Sequence, residues 1–398
     1  KKKYLIFNLY FFSMTIFIYI PALIDNNINI NLGNALVLNL FFTILGIISG
    51  IYLMQNDYIR QSNITSSINK FFRHIKKIKY LVIANIVVII SLLLYIFIAK
   101  EIPLFLIFNG SDTISKITLA RESSFKLLNS PFKIYFTLLR DALLPILIFY
   151  FSYFFKGSNL NYKILWLSFV IFSFIFCSAS LAKAPIMLVA LCVLIGINRG
   201  ISNKFIFKSI LFLLPLYYLS MVVTTSYRGL EIGVKFYERL FVVPYKVNEI
   251  YFEAIPEYIN FTKGSSLGRL SFIFTENTIN LGNKIYVYIT SNKDIISISG
   301  SANGGFLASL WADFSYLGII LGSLIISFSA VALDLLFIGR YKNFTLGLSI
   351  YYFCAYQYAL LTILPIQNMI YNGVPLFILI LLIMYKYPIR LFERNWKT

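Results

Sequence analysis

The chain has 398 residues, 59% of them hydrophobic, 18% aromatic and 13% charged, with a formal charge of +19 at pH 7. A water-soluble domain carries about 25% charged residues, so lipid must cover most of this surface, and soluble enzymes and nucleic-acid-binding domains are excluded. The apolar runs, mostly about 18 to 22 residues long, fit helical spans and not the ten-residue alternating strands of a membrane barrel.

Taken in chain order, the runs predict an all-α, polytopic transmembrane helical bundle of about ten spans. They lie near residues 4–24, 34–54, 80–98, 134–154, 164–181, 185–198, 206–224, 306–335, 345–366 and 374–387, so that residues 1–398 form a single integral membrane domain. The first run follows Lys1, Lys2 and Lys3 like a signal peptide, but it is long and no small-residue cleavage site follows, which makes it a retained anchor. Positively charged loops resist translocation. Residues 55–79, with Arg60, Lys70, Arg73, Lys76, Lys77 and Lys79, fall on the side of the N-terminus. The C-terminal tail, with Lys386, Arg390, Arg394 and Lys397, falls there too. With the shorter connections that side collects roughly 20 of the 35 Lys and Arg, so both termini are expected in the cytoplasm.

The only histidine, His74, lies in the basic 55–79 loop, away from any outer chemistry. Cys177, Cys192 and Cys354 sit in apolar runs without C-x-x-C spacing, so neither a disulfide framework nor a zinc site is readable. No acidic cluster has metal-ligand spacing, and neither metal nor cofactor is expected.

Two segments on the opposite, extracytoplasmic side are long: residues 99–133, which suit an outer interfacial segment, and residues 225–305, a large, partly helical extracytoplasmic loop. Loops of this length in compact proteins are commonly functional. If the chain after Ser226 is helical, Arg228, Glu231, Lys235, Glu238 and Arg239 share one side, opposite Leu230, Val234, Tyr237 and Phe241. That side is either a solvated face or an anion site, in which Arg228, next to a span, binds phosphate with its planar fork. Arg140 and Asp141 lie inside the fourth span, where an ionisable group faces a cavity or partner unless it snorkels. Lys183 occupies a very short outer turn, where interfacial anchoring is the plainer reading. Asp334 and Arg340 read as boundary residues of the eighth span.

The run from Gly300-Ser301-Ala302-Asn303-Gly304-Gly305 to Trp311-Ala312-Asp313-Phe314-Ser315-Tyr316-Leu317-Gly318 is rich in small residues, which mostly serve close packing. Asp313, near the outer mouth of a span and after a glycine-bearing loop, either meets water or a neighbouring helix or acts as a base toward a hydroxyl. Glu231 is the second carboxylate in line for that role.

These features together resemble the bacterial oligosaccharide repeat-unit polymerases, the Wzy-type O-antigen and capsular polysaccharide polymerases. The likeness covers the architecture of nearly the whole chain. Its local marks are Ser226-Tyr227-Arg228-Gly229 opening the large loop, Ala182-Lys183-Ala184-Pro185 before an apolar helix, Leu119-Ala120-Arg121 in the first outer loop, and the Trp311–Gly318 run, where Ser315 replaces a common glycine. The resemblance implies a membrane glycosyltransferase of the bacterial inner membrane that joins repeat units carried on undecaprenyl pyrophosphate, with a chain-length regulator as a possible partner. Fixed cations would stabilise the leaving pyrophosphate. Arg228 comes first, supported by Arg121, Lys183, Arg239 and Arg140. A lipid-linked oligosaccharide flippase is the rival class, disfavoured by scarce intramembrane charge. An O-antigen ligase is closer and harder to separate.

Overall fold

The computed structural model describes residues 4–25, 27–59, 77–99, 102–108, 130–181, 183–199, 215–218, 229–292, 302–340 and 345–379. Every regular element among them is helical. In chain order these are α1 (Leu5–Ile24), α2 (Ile30–Ile59), α3 (Lys77–Ile98), α4 (Pro103–Phe108), α5 (Phe132–Tyr153), α6 (Leu160–Ser178), α7 (Lys183–Asn198), α8 (Leu230–Tyr237), α9 (Val243–Ala254), α10 (Leu281–Asn292), α11 (Phe306–Arg340), α12 (Thr345–Leu360) and α13 (Ile366–Tyr371). Among the described residues six helices, α1, α2, α3, α5, α6 and α11, are long and apolar enough to cross a membrane. Their outward sides carry large apolar groups such as Leu23, 86% exposed, and Phe97, 89% exposed, which suits hydrocarbon and not water. The expected span at 185–198 is the shorter α7, and that at 345–366 stops at Leu360. Most of 206–224 and of 374–387 lies outside the described residues.

Three helices carry a wide π-turn, at Thr15–Tyr19, Leu139–Leu143 and Glu238–Val242, and each turn ends two residues before a proline: Pro21, Pro145 and Pro244. Proline has no N–H to give and its ring crowds the carbonyl four residues back; a locally widened turn relieves that clash without ending the helix.

Contacts group the chain into two compact units, residues 1–66, 235–343 and 354–398 in one, and residues 67–234 and 344–353 in the other. In the first unit α2 and the later part of α11 run in the same direction. The pairs Asn31 with Tyr316, Asn39 with Ser323, Gly46 with Ser327 and Gly50 with Val331 advance in step. A Cβ on Gly46 would stand 2.0 Å from Ser327 Oγ, so the small residue sets the helix separation. α1 runs the opposite way. Its first turn meets Asp334, whose Oδ1 accepts from the Ile6 amide (2.9 Å) and Oδ2 from the Phe7 amide (3.0 Å). Asp334 stands three residues before the end of the apolar stretch Phe306–Phe337, opposite the first turn of α1. It is 0% exposed and supplies acceptors that the first turn of a helix lacks.

α11 is not the straight span that its hydropathy predicts. Ser315 has φ 55° and ψ −146°, which reverses the chain. The carbonyl of Leu310 comes within 2.4 Å of where a Cβ on Gly318 would stand, and Leu310 Cδ1 within 2.1 Å of one on Gly322. Residues 306–314 thus fold back along residues 316–340, an approach that only glycine permits. At the start of this short arm, Phe306 donates its amide to the Leu361 carbonyl (2.8 Å) and packs on Tyr10, well inside α1. Gly305 lies so close to the Thr362 carbonyl that a Cβ would be 2.3 Å from it.

The second unit is a more regular packing of α3, α5, α6 and α7. Tyr95, Phe136 and Phe176 meet at ring distances of 5.6 to 6.3 Å, and Trp166 donates to Ser152 Oγ (2.9 Å). Gly196 lets α7 close on Ser152.

Candidate functional site

The Trp311-Ala312-Asp313 run ends the short arm of α11 and holds the segment that follows α9. Trp311, 3% exposed, stacks on Phe252 at 4.9 Å, meets Phe261 edge-on at 5.5 Å and donates its indole N–H to the Ile255 carbonyl (3.1 Å). Asp313, 1% exposed, takes the turn beyond it. Oδ1 accepts from the Thr262 hydroxyl, the Gly264 amide (3.0 Å) and the Ser266 amide (3.4 Å), and Oδ2 accepts from the Ser266 hydroxyl (2.7 Å). Converging amides are possible because Lys263 and Gly264 both have positive φ, which turns successive N–H groups inward to make an anion-binding concavity. The carboxylate read from sequence as an approachable base is thus enclosed, and both its oxygens are engaged by one loop.

Behind that loop, Gln367 Nε2 donates to the Ser266 carbonyl (3.3 Å) and Tyr371 to that of Leu267 (2.9 Å). The loop then runs into a 3₁₀ turn, Gly268–Ile273, whose end presents Phe272, Ile273 and Phe274, all exposed. Phe274 also packs on Phe314 at 5.2 Å, beside the Ser315 reversal. A cleft of about 670 Å³ opens between residues 258–262 and α10.

The remaining expected residues fall as follows. Arg121 and Arg228 lie outside the described residues, as does most of segment 99–133. Segment 225–305 is helical in part, as expected, through α8, the π-turn, α9 and α10. Glu231 is exposed on α8 and Arg239 is exposed on the π-turn. Lys235 pairs with Glu238 at 2.7 Å. Val234 and Tyr237, from the side expected to be apolar, are 56% and 59% exposed, which leaves that side facing outward.

In the second unit Arg140 grips Asp141 through two bonds, Nε to Oδ1 at 2.6 Å and Nη2 to Oδ2 at 2.8 Å, and reaches Ser180 Oγ with Nη1 at 3.2 Å. Both residues lie on the π-turn Leu139–Leu143. Ser180 stands three residues before Lys183, so two of the expected cations approach the same turn. Lys183 Nζ also lies 5.7 Å from the Tyr217 ring. The guanidinium of Arg140 already has its charge matched by Asp141, whereas Arg239 stands in the open.

Among the described residues no group of three or more His, Cys, Asp or Glu side chains could hold a metal ion. The chain matches no protein-family model, and no curated protein and no solved structure matches it at a significant level.

Sequence reasoning passed over Trp311, Thr262 and Ser266 as site residues. Trp311 stands inside the Trp311–Gly318 run, but its partners lie about 50 residues away and no local pattern marks them.

Proposed function

We propose that this chain polymerises oligosaccharide repeat units carried on undecaprenyl pyrophosphate, at the outer face of the bacterial inner membrane, with both termini in the cytoplasm. The observation that carries the reading is a folded segment outside the spans: residues 229–292 include three helices and a cleft, and Trp311 and Asp313 fasten part of it to the end of a membrane-length helix. A transporter would instead be expected to show a central polar pathway lined by intramembrane charges.

In the reaction an acceptor hydroxyl oxygen attacks the anomeric carbon of the donor. The carbon–oxygen bond to phosphate breaks, undecaprenyl pyrophosphate leaves with the bonding pair, and the hydroxyl proton passes to a base. Cations near the headgroup level stabilise the charge that develops on the pyrophosphate. Arg228 leads, with Arg239, Lys183 and Arg121 in support. Arg140 takes part only if it is freed from Asp141. Asp313 enters as the group that positions the 262–266 loop, and the exposed Glu231 as the carboxylate with room to meet a hydroxyl. A chain-length regulator is the protein partner this activity implies.

The test is a producing strain carrying Arg228→Ala. Loss of one donor aimed at transition-state charge typically costs about 100- to 1,000-fold in rate. Long glycan should vanish, single repeats should remain on lipid, and the protein should still insert in the membrane. Wild-type glycan length with normal protein levels would remove Arg228 from the mechanism.

A further inference from the structure

The cleft between residues 258–262 and α10 is not used in the chemistry above, and its lining is distinctive. Tyr258 and Tyr288 stand 5.1 Å apart, and Tyr258 is 65% exposed although a packed tyrosine would hide its ring. Asn260, Asn283 and Lys284, all exposed, share the same walls. The volume, about 670 Å³, lies within the usual range of ligand pockets, about 300 to 1,000 Å³.

We propose that this cleft is a binding subsite for the sugar rings of a membrane-anchored glycan; this rests on the polymerase reading and names where the chain is held. A sugar ring presents apolar C–H faces and an edge of vicinal hydroxyls that both donate and accept. Aromatic rings match the faces, and planar amides, which also donate and accept, match the edges. Ile259, Phe261, Ile279 and Val287 also line the cleft, but they are interleaved with Asn260, Asn283 and Lys284, whose polar groups an acyl chain would strip of water without replacing the hydrogen bonds; a pyrophosphate would require more cations than Lys284 alone.

Two further features agree. Thr262 lines the cleft and donates to Asp313, so the carboxylate fixes one wall of the subsite to α11. On the same loop, Phe272, Ile273 and Phe274 expose three consecutive large apolar side chains, a combination suited to entering a lipid surface. A lipid surface met by these three residues would lie beside the loop that walls the cleft, which is where the sugars of a lipid-linked chain are held.

The experiment uses full-length protein in lipid nanodiscs and, as probe, lipid-free glycan released by mild acid from the polysaccharide of the producing cells. Saturation-transfer NMR and titration should show binding to wild type. Tyr258→Ala combined with Asn283→Ala, both at exposed positions, should weaken it about tenfold or more, with an unchanged unfolding temperature. Equal binding by the double variant overturns the proposal. So does absence of binding to wild-type protein that still lengthens lipid-linked repeats, a result that leaves the polymerase reading standing. Binding that depends on Tyr258 and Asn283 in protein that lengthens nothing supports the subsite and removes the polymerase reading instead.

Discussion

The two carboxylates of α11 do the same chemistry at places with different consequences. Asp313 and Asp334 are 1% and 0% exposed, and each accepts backbone amides from a segment far away in sequence. Asp334 completes the first turn of α1, with regular helix on both sides of the contact. Asp313 gathers the amides and hydroxyls of an irregular loop, one residue of which lines the cleft. Burial of a carboxylate therefore does not by itself mark a reacting group. What it holds decides whether its loss is felt in the fold alone or also in the work of the site.

Alanine at each position separates the two. Either substitution leaves two amides without an acceptor, both buried at Asp313 and one buried at Asp334, at about 1 to 3 kcal/mol per buried group, so both variants should unfold at distinctly lower temperature. Glycan lengthening per folded molecule should fall only with Asp313→Ala, and Asp313→Asn, which keeps one acceptor oxygen, should recover part of it. Equal loss per folded molecule from Asp334→Ala would dissolve the distinction.

A smaller effect is expected at the reversal beside Asp313. The φ and ψ of Ser315 fall in a region that glycine tolerates and other residues occupy at about 1 to 3 kcal/mol. Glycine's greater freedom in the unfolded chain offsets about 0.5 to 1 kcal/mol of the relief. Ser315→Gly should therefore raise the unfolding free energy by about 1 kcal/mol, read from denaturant titration; a decrease would mean that the reversal is unstrained.

The smallest effect belongs to Asp25, just past the end of α1. The Asn27 amide, and next the Tyr245 hydroxyl, hold its carboxyl below the usual carboxylate range, with Lys246 3.5 Å away. A folded-state pKa below the unfolded one stabilises fully above the unfolded value, and that contribution disappears as pH falls through the folded value. The stability gap between wild type and Asp25→Asn should accordingly shrink between about pH 5 and pH 2. A gap constant across that window would show that the contact does not depend on charge.

How legible these parts were in sequence follows from what each depends on. Helices that face lipid need unbroken apolar runs, so 4–24 and 80–98 were readable almost to the residue as Leu5–Ile24 and Ile78–Ile98. The fold-back at Ser315 was hidden because residues 306–335 are predominantly apolar on both sides of it, and hydropathy does not register direction. Ser315, Gly318 and Gly322 were the available signs. Gly46 and Gly50, spaced four apart in a span, could have announced the α2–α11 contact. That Asp334 caps α1 was hidden because its partners, the Ile6 and Phe7 amides, are more than 300 positions away. Asp313 stood out in the sequence as a carboxylate in an apolar run, but its partners Thr262, Gly264 and Ser266 carry no local signature, so a carboxylate held by a loop could not be told from one open to substrate.

The most direct test of the proposed activity uses purified protein in proteoliposomes with undecaprenyl-pyrophosphate-linked repeat units and excess EDTA, the products being resolved by length. Lipid-linked chains of two, three and more repeats should form, with undecaprenyl pyrophosphate released in step with each new bond. Repeats that cross the bilayer without a new glycosidic bond, finished chains passed to a different acceptor, or lengthening that requires added Mg²⁺ would contradict a polymerase that relies on its own cations.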